Sequence, residues 1–357
     1  MTADDVARRR LAAQHLARPR LADPAAVVAA LGAVQAQDYP AAKWALGQRT
    51  TGATDADVER AFADGAILRT HVLRPTWHFV APTDIRWMLA LTGPRVHQAN
   101  AGRYRELELD DATRRRADAV LGRALADGAH RTRTELAAAL RRARIDPAGQ
   151  RMAHLLMHAE LNAVICSGAR RGKQFTYALL DTRAPGAARA LDRDEALARL
   201  ATLYFGARGP ATAHDFAWWS GLTIADARRG AGAAGLAAEL IDGRTHWMSD
   251  APMTRATRRP TAHLLPNYDE LFVGFRDRSA ALDRVASVAR AAATTSVMRH
   301  VVEIGGEIVG GWTRTLGRSA VVVALDLLAP LTDAERGAVE AAVRRYGTFL
   351  GQRAVVA

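Results

Sequence analysis

The sequence predicts an α+β fold, with three tandem helix–helix–hairpin units followed by a β-rich C-terminal domain and a terminal helix. Helix starts, hairpin tips and a late change of periodicity carry this prediction. Amphipathic runs open on Asp or Thr, some with Pro close behind. Short runs of strand character follow them and turn on basic or Asp-Gly tips. From about His263 onward β-branched runs take over. With 357 residues, 49% of them apolar, the chain can fill several cores.

In the first unit, "DPAAVVAALGAVQAQ" begins with Asp23 as N-cap and Pro24 in the first helical position, and Val27, Val28, Leu31 and Val34 form one stripe. "YPAAKWALGQRT" and "DADVERAFADGAIL" read as two further helices. In "RTHVLRPTWHFVAP", Val72, Arg74, Thr76 and His78 alternate with Leu73, Pro75, Trp77 and Phe79. That is an edge strand or hairpin arm, with Pro75 where no ladder hydrogen bond is required. Trp77, on the other face, and Trp44 are assigned to packing.

The second unit repeats the layout. "RTRTELAAALRRARI" is a helix with a threonine cap, and "DPAGQRMAHLLMHAELNAVI" another, capped by Asp146 with Pro147 first. "AVICSG", "ARRGKQ" and "FTYALL" read as strand, basic turn, strand. Two helices and a hairpin tipped by Arg170, Arg171 and Lys173 make the pattern of a winged helix. A third copy follows in "DEALARLATLYFGARG", "TAHDFAWWSG" and "TIADARRGAGAAGL", with the hairpin "AELIDGRTHWMS" turning at Asp242-Gly243. The stretch "DTRAPGAARALDRDE" links the second and third units. "HLLPNYDELFVGF", "SVMRHVVEIGGEIVGGWTRT" and "SAVVVALDLL" read as strands, with a tight turn at Gly305-Gly306, and "TDAERGAVEAAVRRYGTFL" as the closing helix.

Lysine and arginine total 49 against 37 acidic residues, a net charge of +12 that favours polyanionic partners, nucleic acid first among them. The charge is almost all arginine in an alanine-rich chain, which a GC-rich genome also produces. The single cysteine, Cys166, excludes an internal disulfide framework and a cysteine zinc site, and its apolar run makes it a core residue. No signal-like or membrane-spanning run is visible, so a cytoplasmic location and no membrane partner are expected. His154 and His158 have metal-ligand spacing, but no glutamate and no third ligand accompany them, so no metal is expected. With Arg151 they form the polar side of their helix, where a groove-reading face would lie.

Gln35 and Gln37 stand two residues apart, followed by Asp38. If the helix ran on, Gln35 would lie beside Val28 and Gln37 nearly opposite, so the amides converge only if the helix unwinds between them. Pro40 disfavours helical geometry at Tyr39, which puts the helix end around Gln37 or Asp38. The residues alone leave two readings: a converged pair of amides, or a partly buried Gln35 with Asp38 capping the next helix.

"VQAQD", "LRPTWHFVAP", the winged-helix region and "LLPNYDELFVGFRDR", in that order, resemble the AlkZ-like family of winged-helix DNA glycosylases, which includes a YcaQ-like branch. The resemblance covers nearly the whole chain. It implies a winged helix with a helical extension over 1–125, further winged helices over 126–185 and 186–258, and the β-rich domain over 259–357. It also implies excision of cationic alkylated purines, interstrand crosslinks included, from double-stranded DNA without a cofactor. The family signature is glutamine, an aliphatic residue, then glutamine or, in the YcaQ-like branch, aspartate. Gln35-Ala36-Gln37 matches the first form, so Gln35 and Gln37 are the implied catalytic pair. Asp38 lies one place past the signature, with capping as its expected role and added negative potential as a supporting one. Lys43, Arg74, Thr76, His78, Arg151, Arg170, Arg171 and Lys173 are the expected DNA contacts. Lys43 is also the one lysine near enough in sequence to act as a Schiff-base nucleophile. Asp269 and Glu270 are read as a structural charge network with Arg276, Asp277 and Arg278, outside the site. The rival function class is a non-catalytic tandem winged-helix DNA-binding protein or transcriptional regulator.

Overall fold

The computed structural model describes residues 1–17, 20–186, 191–249, 260–285 and 300–357. An N-terminal helix α1 (Ala3–Ala13) precedes the first unit, which runs α2 (Pro24–Leu31), β1 (Ala33–Gln35), α3 (Tyr39–Arg49), α4 (Asp55–Asp64), β2 (Leu68–Val72) and β3 (Arg74–Val80). Helices α5 (Ile85–Ala99), α6 (Ala101–Glu106) and α7 (Asp111–Ala124) lead into β4 (Arg131–Thr132), α8 (Arg133–Arg142), α9 (Arg151–Leu161), β5 (Ile165–Ser167) and β6 (Thr176–Leu179). A short α10 (Leu180–Arg183) precedes the third unit, α11 (Arg193–Arg208), α12 (Ala213–Ser220), α13 (Ile224–Ala233), β7 (Ala237–Ile241) and β8 (Arg244–Met248).

One pattern recurs: helix, short strand, two helices, hairpin. The short strand pairs with the last strand, giving sheet orders β1-β3-β2 and β4-β6-β5. In the third unit it shrinks to a single bridge between Ala211 and Trp247. Strands of two or three residues carry too little periodicity to be read from sequence. Each turns at once into a capped helix, with side-chain oxygens of Asp38, Thr132 and Thr212 accepting from the amides of Ala41, Glu135 and Asp215.

The strand corrects the expected end of the first helix. That helix stops at Leu31, because Gly32 takes a left-handed φ of 74° and turns the chain into β1. Pro40 is not what breaks it. Two further expectations change. The helix expected from Pro147 starts at Arg151, and the Asp146 side chain accepts from Ala148 N in the preceding turn. "ELFV" is a helical turn, α14 (Glu270–Val273), and not part of a strand.

The C-terminal region holds β9 (Ala262–Leu265), α14, α15 (Ser279–Leu282), β10 (Val301–Ile304), β11 (Glu307–Leu316), β12 (Ala320–Leu327), the terminal helix α16 (Asp333–Leu350) and β13 (Arg353–Val356). Its sheet runs β13-β12-β11-β10-β9, with only β12 and β13 parallel. The expected strand start at Ser296 and the boundary expected at 258/259 lie outside the described residues. Among the described residues no helix is long and apolar enough to cross a membrane.

Strand β1 stands between two cores. Ala33 joins Leu68 and Val80 in a cluster with α5, α9, α11 and α12. Val34 and Ala36 face the other way, to Phe79, Trp44, the C-terminal sheet and Tyr346 and Phe349 of α16. Trp44 is packing, as expected: its indole N–H donates to Leu264 O at 2.7 Å, and its ring lies 5.0 Å from those of Tyr346 and Phe349. Each fully buried side chain of this kind contributes about 1.5–3 kcal/mol, so β1 is held in place from both faces.

Candidate active site

Gln35 ends β1 opposite His78 of β3, and the ladder continues one step further through Ala36 N to Trp77 O at 2.7 Å. Directly paired residues share a sheet face. Alternation then places Thr76 and Arg74 beside His78, and Thr70, which opposes His78 from β2, on the same face. The strand therefore brings together Gln35, Arg74, Thr76 and His78. An Arg74 guanidinium nitrogen donates to Gln35 Oε1 at 3.1 Å. Gln35 is 7% exposed and His78 fully buried.

Thr70 Oγ1, Arg74 Nε, Thr76 Oγ1 and His78 Nε2 have no hydrogen-bond partner among the described residues. Burying unpaired polar atoms is costly, so four on one small face is unusual for a packing surface. His78 Nδ1 lies 3.0 Å from Thr76 O, which makes it the donor and leaves Nε2 as an acceptor. Burial, reinforced by the Arg74 charge, pushes the His78 imidazole down to about 3, so the ring is neutral near pH 7. Burial likewise lowers the Arg74 guanidinium, a shift opposed by Glu270.

Gln37 is exposed at the rim, where its Oε1 accepts from Trp77 N at 3.4 Å, substituting for a backbone carbonyl. The two amides leave neighbouring points of the strand-to-helix link, and each carbonyl keeps a second lone pair. Asp38 is the α3 N-cap, its Oδ1 3.2 Å from Ala41 N.

Beneath Gln35 lies a buried ion pair that the sequence reading placed elsewhere. Glu270 Oε1 accepts from Gln35 N at 2.8 Å, and Oε2 accepts from Arg208 at 2.7 Å and from Trp219 Nε1 at 3.0 Å. Arg208 also donates to Leu31 O and Ala33 O, bracing both sides of the Gly32 turn. Asp269 takes a bidentate contact from Arg49 at 2.8 and 2.9 Å. The partners of these carboxylates are thus Arg49 and Arg208, not Arg276 and Arg278. No local signal joins Glu270 to a motif 235 residues away.

The remaining expected DNA contacts scatter. Lys43 is buried and bonded to Asp55 and Glu59 at 2.7 and 3.0 Å, so its ammonium is unavailable to DNA or to a sugar aldehyde. Arg151 clamps the carbonyls of Asp146, Leu107 and Glu108. His158 is buried against Asp118, and Glu160 on the same helix meets His71 of β2. Helix α9 therefore packs much of its surface into the protein, and of the expected groove-reading face His158 is buried while Arg151 and His154 are half-buried. Arg170 folds back over the rings of Tyr39 and Phe175, and Arg171 bonds Glu135. Lys173 is exposed at the wing tip. Trp77 is half-buried, with Arg69 4.3 Å from its ring and His71 tilted against it at 4.3 Å.

Across from Arg74 stands Trp218 of α12, which nothing in the sequence set apart. Its ring is 44% exposed and its N–H is tied to Val273 O at 3.2 Å.

A family model described as "DNA glycosylase AlkZ-like" matches residues 28–349. Among solved structures the chain is similar to Streptomyces sahachiroi DNA glycosylase AlkZ, with 21% identity, a TM-score of 0.80 and complete coverage of both chains. At that identity the likeness speaks for the fold. No curated protein matches.

Proposed function

The chain belongs to the AlkZ-like DNA glycosylase family, and from that premise we propose that it hydrolyses the N-glycosidic bond of cationic alkylated purines in double-stranded DNA. N7-alkylguanine and N3-alkyladenine are the proposed lesions. N7-linked interstrand crosslinks belong with them, since they present the same cationic base on both strands. The regulator reading loses part of its support, because on the helix that would read the groove His158 is buried and Arg151 is bound to main-chain carbonyls.

The observation that supports this lesion class most is how the groups beside Gln35 are engaged. His78 is neutral and buried, Glu270 is committed to Arg208, Trp219 and Gln35 N, and Arg74 carries a guanidinium. None of them is suited to donate a proton to a departing base at neutral pH. A base that already carries a positive charge leaves without one. Gln35 and Gln37 then position a water by their amides, Gln35 with its carbonyl oriented by Arg74, against an oxocarbenium-like C1′. The water oxygen bonds to C1′, and the C1′–N pair returns to the base, which departs neutral. The water proton passes to solvent. The product is an abasic site with an intact strand. Arg74 and Lys173 are proposed to meet phosphates, while the unpaired polar atoms of Thr70, Thr76 and His78 stay buried within the strand face.

The test is release of free base from a duplex carrying N7-methylguanine and from mustard-crosslinked duplex. Multiple-turnover release is expected, and none from either substrate would refute the proposal. If Gln35→Ala and Gln37→Ala both keep full activity, the amide mechanism is wrong.

A further inference from the structure

Helix α12 carries two adjacent tryptophans with opposite environments. Trp219 is fully buried and donates to Glu270. Trp218 is 44% exposed, on a helix whose other large side chain, Phe216, is also fully buried. Leaving so much indole in water forgoes a little under half of the stabilisation that full burial would supply. The ring is nonetheless fixed by its N–H bond to Val273 O. Gly221, just past the helix, approaches the backbone of Leu73 so closely that a Cβ there would lie 2.4 Å from Leu73 O. That contact brings α12 against the β2–β3 turn and sets Trp218 beside the strand face of Gln35.

Two guanidiniums rim the ring, Arg74 at 5.7 Å and Arg278 at 6.0 Å from its centroid. Both lie over the ring at distances near the outer limit of a cation–π contact. Arg74 leads back to Gln35. Arg278 leads forward into a cleft of about 800 Å³ that Arg228 and Arg276 also line. The acidic groups of that cleft are engaged: Asp215 accepts from the amides of Thr212, Arg276 and Asp277, and Asp277 pairs with Arg244. Arg228 and Arg276 are exposed, and their positive charge is left for an anion. Catalytic amide, guanidinium, fixed open indole, guanidinium and cationic cleft follow one another. This is the arrangement of a strand-tracking surface, in which an aromatic face takes a base and arginines take phosphates.

We infer that Trp218 is a stacking platform for a base flanking the lesion on the damaged strand, and that the Arg228–Arg276–Arg278 cleft receives the phosphates beyond it. This deepens the proposed function and rests on it for the identity of the strand. Trp218 is a positioning residue: it holds the strand while the amides of Gln35 and Gln37 face the reacting carbon.

The experiment is binding of the full chain to a duplex with an abasic-site analogue flanked by 2-aminopurine, so that no base release is needed. Wild type should quench the 2-aminopurine on binding. Trp218→Ala should abolish the quench and weaken binding about 5- to 150-fold, the range for losing one base–aromatic stack. Trp218→Phe should retain the quench, and each of Arg228→Ala and Arg276→Ala should reduce the salt slope of log K by about one. Equal quenching and affinity in Trp218→Ala and wild type, with unchanged melting, would overturn the inference. A wild type that shows the quench but releases no base from methylated DNA upholds the platform and refutes only the proposed reaction.

Discussion

Replacing Glu270 by glutamine tests how the candidate site is held. The carboxylate takes donors on both oxygens: Gln35 N on one, Arg208 and Trp219 Nε1 on the other. A glutamine of the same shape has one carbonyl and one NH2. If the carbonyl faces Gln35 N, the NH2 meets Arg208 and Trp219; if it is reversed, the NH2 meets Gln35 N. Either way donor faces donor, and Arg208, fully buried, loses its countercharge. Breaking one side of a buried pair costs about 3–5 kcal/mol, a large share of a typical domain's stability. Glu270→Gln is therefore expected to lower the melting temperature by several degrees or more. Arg208→Met with Glu270→Leu should recover much of that loss, because an apolar pair has no charge to strand. It leaves Gln35 N, Leu31 O and Ala33 O without their anchors, so single-turnover release of N7-methylguanine should stay about 10- to 100-fold below wild type. Melting and release rates equal to wild type in Glu270→Gln would show that the pair neither stabilises the fold nor positions Gln35.

Asp38→Ala should cost about 1 kcal/mol by thermal melting, the usual worth of an N-cap, with base release per folded molecule unchanged; a large loss of rate without a loss of stability would make Asp38 part of the chemistry. His78 has a folded-state value of about 3 against 6.5 unfolded. Its contribution to stability is thus complete above about pH 6.5 and is lost as pH falls toward 3, because the unfolded chain takes up the proton first. In urea titrations between pH 4.5 and 6.5, His78→Asn should lose less stability on acidification than wild type, and equal slopes would refute the assignment. Lys43→Ala should leave product chemistry unchanged, and borohydride should trap no covalent adduct in either protein; a trapped adduct lost in Lys43→Ala would replace hydrolysis by a Schiff base.

The repeated helices and hairpins were legible in the chain because caps, turn pairs and apolar stripes act over a few residues. Asp38 as a cap and the shared strand face of Arg74, Thr76 and His78 could be read for the same reason. Two-residue and three-residue strands were not, and so the end of the first helix was misplaced by several residues and credited to Pro40 instead of Gly32. The exposed or buried fate of a charged side chain was equally out of reach. Lys43 and Arg151 look like DNA contacts until α4 and the α6–α7 turn are packed against them. Glu270 looks like a neighbour of Arg276 until the fold lays it under Gln35. Trp218 and Trp219 are indistinguishable as letters and opposite in environment. Local backbone preference and side-chain period are properties of the chain. Which charges meet, which histidine is kept neutral and which indole stays open depend on packing between segments that can lie more than 200 residues apart, and only the tertiary structure decides them.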